Sequence, residues 1–137
     1  MKTEAHNETS RRDLVLVVDD FADARELYAL VLAGDGFAVA QAASADDALV
    51  EIARLQPVLV VTDIVMPGRS GLDLCRVIRR DWPTLPIIAV TARDLNHDER
   101  RMLTDILCDL VLTKPCSPEA LLRAVHRVLA SPHSTSQ

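Results

Sequence analysis

Val58-Leu59-Val60-Val61-Thr62 is an unbroken run of strand-favouring residues that leads directly into Asp63 and then the turn-like Ile64-Val65-Met66-Pro67-Gly68. A strand without polar alternation is buried on both faces, as in the middle of a parallel sheet covered by helices. The same pattern recurs on either side. Leu14-Val15-Leu16-Val17-Val18 runs into Asp19-Asp20, Pro86-Ile87-Ile88-Ala89-Val90 into Thr91-Ala92, and Leu110-Val111-Leu112-Thr113 into Lys114-Pro115. Phe37-Ala38-Val39-Ala40 is a weaker run, suited to an edge. Five strands alternating with helices make an α/β, doubly wound parallel sheet. All its strands finish on one edge, so residues far apart in sequence meet in one crevice.

Caps and apolar stripes locate the helices. The first is expected from Ala24 to Ala33, stopped by Gly34-Asp35-Gly36, and Ser44 with Asp47 resembles a capping box ahead of Ala48, Ile52 and Leu55. The third runs from Leu72 to Arg80, before Trp82-Pro83. Asn96 with Glu99 starts the fourth, whose thin stripe is Met102, Leu103 and Ile106. Ser117-Pro118-Glu119 opens the last with an N-cap, a proline at the first helical position and an acid at the positive dipole end.

The 137 residues suffice for one domain, here residues 13–130 between polar tails at 1–12 and 131–137 that are expected to be disordered. With 3% aromatic residues the core must be aliphatic, and a net charge of -5 argues against a nucleic-acid or anionic-membrane surface as the main partner. Cys75, Cys108 and Cys116 are odd in number and lack CxxC spacing, which fits reduced, apolar thiols in a cytoplasmic protein. There is neither a secretory h-region nor a window of about 20 apolar residues.

Asp19, Asp20 and Asp63 in one crevice repel one another, and they stay ionised together only around a cation. Oxygen ligands without His or Cys favour Mg²⁺, with water and a phosphate completing its octahedron. A carboxylate beside Mg²⁺ and the Lys114 ammonium is a suitable nucleophile for a phosphoryl group, since positioning and charge neutralisation supply most of that catalysis. Asp63 takes that role, with the Thr91 hydroxyl donating to a phosphoryl oxygen and Ala92 leaving access. Taken singly, each of these residues is more often a turn or cap residue. Five polar residues at the ends of four strands are not explained as caps.

In these residues the chain resembles the receiver domains of two-component response regulators: Asp19-Asp20, Asp63 with Met66-Pro67 and Gly71, Thr91-Ala92 and Lys114-Pro115, within a match from Leu14 to Ala130. The resemblance implies a flavodoxin-like (βα)5 fold with strand order 2-1-3-4-5 and a Lys-Pro peptide that is commonly cis. It implies that Asp63 accepts the phosphoryl group from a histidine kinase or phosphotransfer protein. Asp20 and the backbone carbonyl of Val65 would then bind Mg²⁺ directly, Asp19 partly through water, and Thr91 and Lys114 would contact the phosphoryl group.

Two positions depart from the family. Val111 stands where a Tyr or Phe commonly swings in as the threonine moves, and Leu107 replaces the glycine that ends the fourth helix, so an altered helix end is expected. With only residues 131–137 beyond the domain, a stand-alone receiver is expected. It is not a turnover enzyme, and its output passes through a protein partner or a second copy at the face of the fourth helix, fifth strand and fifth helix. Arg100, Arg101, Arg123 and Arg127 lie on those elements. The alternatives are a degenerate receiver that binds partners constitutively and a phosphohydrolase. The latter is opposed by Val65, which stands where such enzymes carry a second carboxylate.

Overall fold

The computed structural model describes residues 13–130 apart from residues 67, 69 and 92–94, so the expected tails, Pro67 and Ala92 lie outside the described residues. Strands and helices alternate: β1 (Leu14–Val18), α1 (Ala22–Gly34), β2 (Ala38–Ala42), α2 (Ala45–Leu55), β3 (Leu59–Asp63), α3 (Gly71–Asp81), β4 (Ile87–Thr91), α4 (His97–Met102), β5 (Leu110–Thr113) and α5 (Pro118–Ala130). A π-helical turn, Leu103–Leu107, extends α4. The strands form one parallel sheet in the order β2-β1-β3-β4-β5, as the resemblance implied.

Period-two alternation divides the aliphatic runs between two cores. Val15, Val17, Leu59, Val61, Ile88 and Val90 face α1 and α5, meeting Tyr28, Leu32, Leu121 and Val125. Leu16, Val18, Val60, Ile87 and Ala89 face the other layer, meeting Ala48, Ile52, Leu74, Ile78 and Leu103. Every residue of β3 and β4 is buried, as a central parallel strand requires. Among the described residues no helix is long and apolar enough to cross a membrane.

Element ends differ from expectation in ways that bear on the site. β3 and β4 each run one residue further, so Asp63 pairs with Val90 and Thr91 with Thr113 inside the ladder. The backbone of each polar residue is thus held by the sheet itself. α1 starts two residues early, at Ala22, because its N-cap position is Phe21, whose side chain makes no capping bond. The expected caps of α2 and α5 are present: Ser44 Oγ accepts from Asp47 N and Ser117 Oγ from Ala120 N, both at 3.1 Å. Asn96 and Glu99 form a full capping box on α4.

Ile106, expected on the buried stripe of α4, is 66% exposed, and Leu107 is buried in its place. The π turn is the cause. Cys108 N donates to Leu103 O at 2.9 Å across five residues, which carries the following side chains out of α-helical phase. Leu107 takes no left-handed conformation, since Gln56 is the only non-glycine residue with positive φ among those described. The helix therefore ends without a glycine stop.

Arg79 of α3 supplies the missing closure. Its Nε and Nη2 donate to Leu107 O at 3.1 and 2.6 Å, and its Nη1 donates to Pro83 O at 2.9 Å and Leu85 O at 3.0 Å. Its Nη2 also lies 3.4 Å from Asp109 Oδ1, which accepts the N–H of Ile87 at 2.9 Å. One side chain thereby ties the π turn, the α3–β4 loop and the start of β5. Arg79→Met would leave several half-buried carbonyls short of a donor and is expected to cost about 2 kcal/mol, with Arg79→Lys recovering only part. Urea unfolding checks this, the expected result being a lower midpoint at unchanged slope.

Candidate functional site

Asp63 is the last residue of β3 and is 7% exposed. Its Oδ1 accepts the N–H of Ile64 at 2.7 Å and, more weakly, that of Val65 at 3.4 Å. Its Oδ2 is thereby turned toward the ammonium of Lys114 at 3.3 Å. The sharp turn behind it depends on Gly71, whose N–H donates to Ile64 O at 2.9 Å. A Cβ at Gly71 would collide with the Asp63 carbonyl oxygen and lie 2.6 Å from Ile64 Cα, so only glycine lets α3 begin this close to the end of β3.

Asp19 follows β1 and is 1% exposed. Its N–H donates to Ala42 O at 3.1 Å and its Oδ1 accepts from Phe21 N at 2.9 Å. Lys114 Nζ stands 3.5 Å from its Oδ2, and that oxygen is buried with no hydrogen-bond partner. Asp20 is exposed beside it. One carboxylate oxygen from each of Asp19, Asp20 and Asp63 lies within 4.8 Å of the others, so the three carboxylates among the expected metal ligands do come together. Three hard oxygens, one of them buried and unsatisfied, fit an oxygen-loving divalent cation.

Lys114 reaches the crevice from just beyond β5, and Thr91 ends the neighbouring β4. Thr91 is fully buried, and its carbonyl accepts the N–H of Lys114 at 2.8 Å. The Lys114–Pro115 peptide is cis, as the resemblance implied, and Pro115 is exposed. Val65 is 57% exposed at the rim. Val111 is half-buried against the α3-side core, so no aromatic ring occupies that position.

The electrostatics follow from two buried carboxylates, Asp19 and Asp63, sharing one ammonium with a third carboxylate close by. Burial pushes the Asp63 carboxyl above its ordinary range, Lys114 partly offsets this, and Asp19 reinforces it. Burial alone would pull Lys114 down, yet Asp63 and Asp19 outweigh it and hold the ammonium above its usual value. The cluster thus carries a surplus of negative charge that a divalent cation relieves.

Two participants were not anticipated from sequence. Arg25 Nη1 donates to the Asp19 carbonyl at 2.9 Å, an arrangement that no spacing signal announces. Tyr28, buried on α1, has its hydroxyl pushed above the usual range chiefly by burial, and it also feels the charges of Cys116, Lys114, Asp19 and Asp63.

The family model described as the response regulator receiver domain matches residues 15–126. The DNA-binding response regulator MtrA of Mycolicibacterium smegmatis is 37% identical over 114 residues, covering 83% of this chain and 49% of that protein. The phosphate regulon transcriptional regulatory protein PhoB of Klebsiella pneumoniae is 33% identical over 117 residues, covering 84% and 51%. The chain spans about half the length of these curated relatives. Among solved structures, a response regulator receiver protein from Pseudomonas putida superposes with a TM-score of 0.80 at 35% identity, covering 85% of this chain and 97% of that one. The chemotaxis protein CheY4 of Vibrio cholerae gives a TM-score of 0.77 at 25% identity, covering 84% and 97%.

Because its folded state holds a proton on Asp63 more tightly than the unfolded chain does, this group makes the metal-free protein more stable as pH falls through the raised pKa. A salt-bridged surface carboxylate would act in the opposite direction. Asp63→Asn is accordingly expected to stabilise the metal-free protein by about 1 kcal/mol, roughly 4 °C in Tm for a domain of this size. Added Mg²⁺ should raise the melting temperature of the wild type and have little effect on the variant. Differential scanning calorimetry with and without Mg²⁺ checks both expectations. Gly71→Ala is expected to destabilise the protein by displacing the Asp63 turn, and the same scans detect it.

Proposed function

The chain belongs to the response regulator receiver domain family, and from that premise we propose that Asp63 accepts a phosphoryl group from a histidine kinase or phosphotransfer protein in a Mg²⁺-dependent reaction. The observation that carries this reading is the convergence on one crevice of Asp63, the unsatisfied Asp19 Oδ2 and the Lys114 ammonium, with Asp20 at its edge. Asp19, Asp20, Asp63 and the Val65 carbonyl would hold the cation. The cation, when bound, neutralises charge on the phosphoryl oxygens.

In this reading Asp63 Oδ2 attacks phosphorus, the bond from phosphorus to the donor nitrogen breaks, and the nitrogen keeps the electron pair. Lys114, 3.3 Å from that oxygen, offsets charge on the carboxylate and then on the phosphoryl group, while the Thr91 hydroxyl donates to a phosphoryl oxygen. The protein is a switch or relay that loses the group by hydrolysis, and it is not a turnover enzyme. The free thiols of Cys75, Cys108 and Cys116 agree with a reducing cytoplasm.

We assign output to protein contacts on the α4-β5-α5 face, through a target or a second copy. The net charge of -5 supports a protein over a nucleic acid as this region's direct contact. Arg101 and Arg123 are exposed on that face. Val111 supports a second reading, a receiver that binds its partner without phosphorylation, because valine cannot make the aromatic swing that accompanies activation in the family.

Intact mass after incubation with acetyl phosphate separates the two. The leading reading expects a Mg²⁺-dependent gain of one phosphoryl group that Asp63→Asn abolishes, and no gain under any condition would leave the constitutive binder. If output uses the proposed face, neutralising Arg101 and Arg123 together should weaken self-association or target binding several-fold, mainly by slowing association. Sedimentation and surface-binding kinetics read that change, and wild-type association would remove the face from consideration.

A further inference from the structure

Arg25 lies in the first turns of α1, five residues beyond Asp20, where its type and spacing match an ordinary solvated helix arginine. Its guanidinium is engaged at two points. Nη1 donates to the backbone carbonyl of Asp19 at 2.9 Å, and Nε donates to Gln41 Oε1 on β2 at 3.0 Å. Gln41 is in register with Val17, and the next residue, Ala42, accepts the N–H of Asp19 at 3.1 Å. The edge strand β2 thus grips Asp19 twice, once directly and once through Arg25.

These contacts account for three of the four polar atoms of Asp19. Its N–H is bound by Ala42, its carbonyl by Arg25 and its Oδ1 by Phe21 N. The fourth, Oδ2, is the buried oxygen without a hydrogen-bond partner that faces Lys114 and the other two carboxylates. Holding three atoms fixes where the fourth points. The Asp19 carbonyl also shares a rigid peptide plane with the N–H of Asp20, so the bond from Arg25 sets the direction from which Asp20 approaches the same crevice.

We propose that Arg25 is a positioning residue for the divalent-cation site, acting through the Asp19–Asp20 peptide and anchored on β2 by Gln41. The inference rests on the receiver reading above and concerns a residue which that reading does not use. Mg²⁺ demands near-ideal octahedral geometry, so a small tilt of the acidic pair lowers affinity. Contacts that orient metal ligands from behind typically contribute about 10–100-fold in affinity. Lysine keeps the charge but lacks the planar fork that reaches a carbonyl and an amide oxygen together.

The test is calorimetric titration of Mg²⁺ into the unphosphorylated full chain, for the wild type, Arg25→Met, Arg25→Lys and Gln41→Leu. Arg25→Met is expected to raise the Mg²⁺ Kd about 10-fold, with Arg25→Lys and Gln41→Leu between it and the wild type. In acetyl phosphate reactions, the Mg²⁺ concentration for half-maximal rate should rise by the same factor while the rate at saturating Mg²⁺ stays within about twofold of wild type. Wild-type Mg²⁺ affinity in a folded Arg25→Met overturns the proposal, as does a lower saturated rate at unchanged affinity. If Arg25→Met fails to fold, Gln41→Leu, which keeps the arginine, decides by the same two criteria. A wild type that binds no Mg²⁺ overturns the receiver reading itself, and it is recognisable before any substitution is compared.

Discussion

The Lys114 ammonium stands between Asp63 and Asp19, 3.3 Å from one carboxylate and 3.5 Å from the other, and the top of the sheet is organised around that shared charge. Without it, two buried carboxylates would face each other across a medium that screens poorly. With it, one positive charge serves two negative ones and a third carboxylate stands at the edge, so the cluster is stable enough to fold yet left with excess charge. Burial keeps Asp63 above the ordinary carboxylate range, with Lys114 opposing and Asp19 reinforcing the shift, and the surplus of negative charge suits the crevice to a divalent cation. In the proposed function, cation binding and phosphoryl acceptance both draw on this incomplete neutralisation.

Bringing Lys114 to Asp63 across 51 positions of sequence is the work of the parallel sheet. β1, β3 and β4 are adjacent, and β5 lies beside β4, so four chain ends reach one edge in fixed register. The ladder extends through Asp63 and Thr91, and the Ile64 and Lys114 amides donate to Val90 O and Thr91 O just beyond it. Asp63, Thr91 and Lys114 are therefore mounted on paired backbone. Gly71 adds the steric condition that lets α3 start against the Asp63 carbonyl.

The sheet was legible because four of its strands are unbroken aliphatic runs, a pattern that survives tertiary context, and because each of those four leads into a polar residue that packing does not favour. Asp19, Asp20, Asp63, Thr91 and Lys114 could be read for that reason. The start of α1 could not, since Phe21 gives no capping signal and the nearest acids serve the crevice. Ile106 was misplaced because period-3.6 reasoning assumes an α-helix throughout, and the π turn breaks the phase. Arg25 and Arg79 were illegible for a different cause. Each acts on backbone carbonyls brought near by the fold, and carbonyl positions leave no mark in a sequence.

The π turn also changes how this chain should be compared with its kin. Between Leu103 and Leu107 the backbone uses one more residue per hydrogen-bonded ring than an α-helix does, so facing directions there run out of step with a relative whose helix is regular. A column-by-column transfer of properties through that stretch would assign an interior role to Ile106, which is 66% exposed. Any catalogue of interface positions for this face must be indexed by spatial superposition, because letter matching changes meaning partway along it.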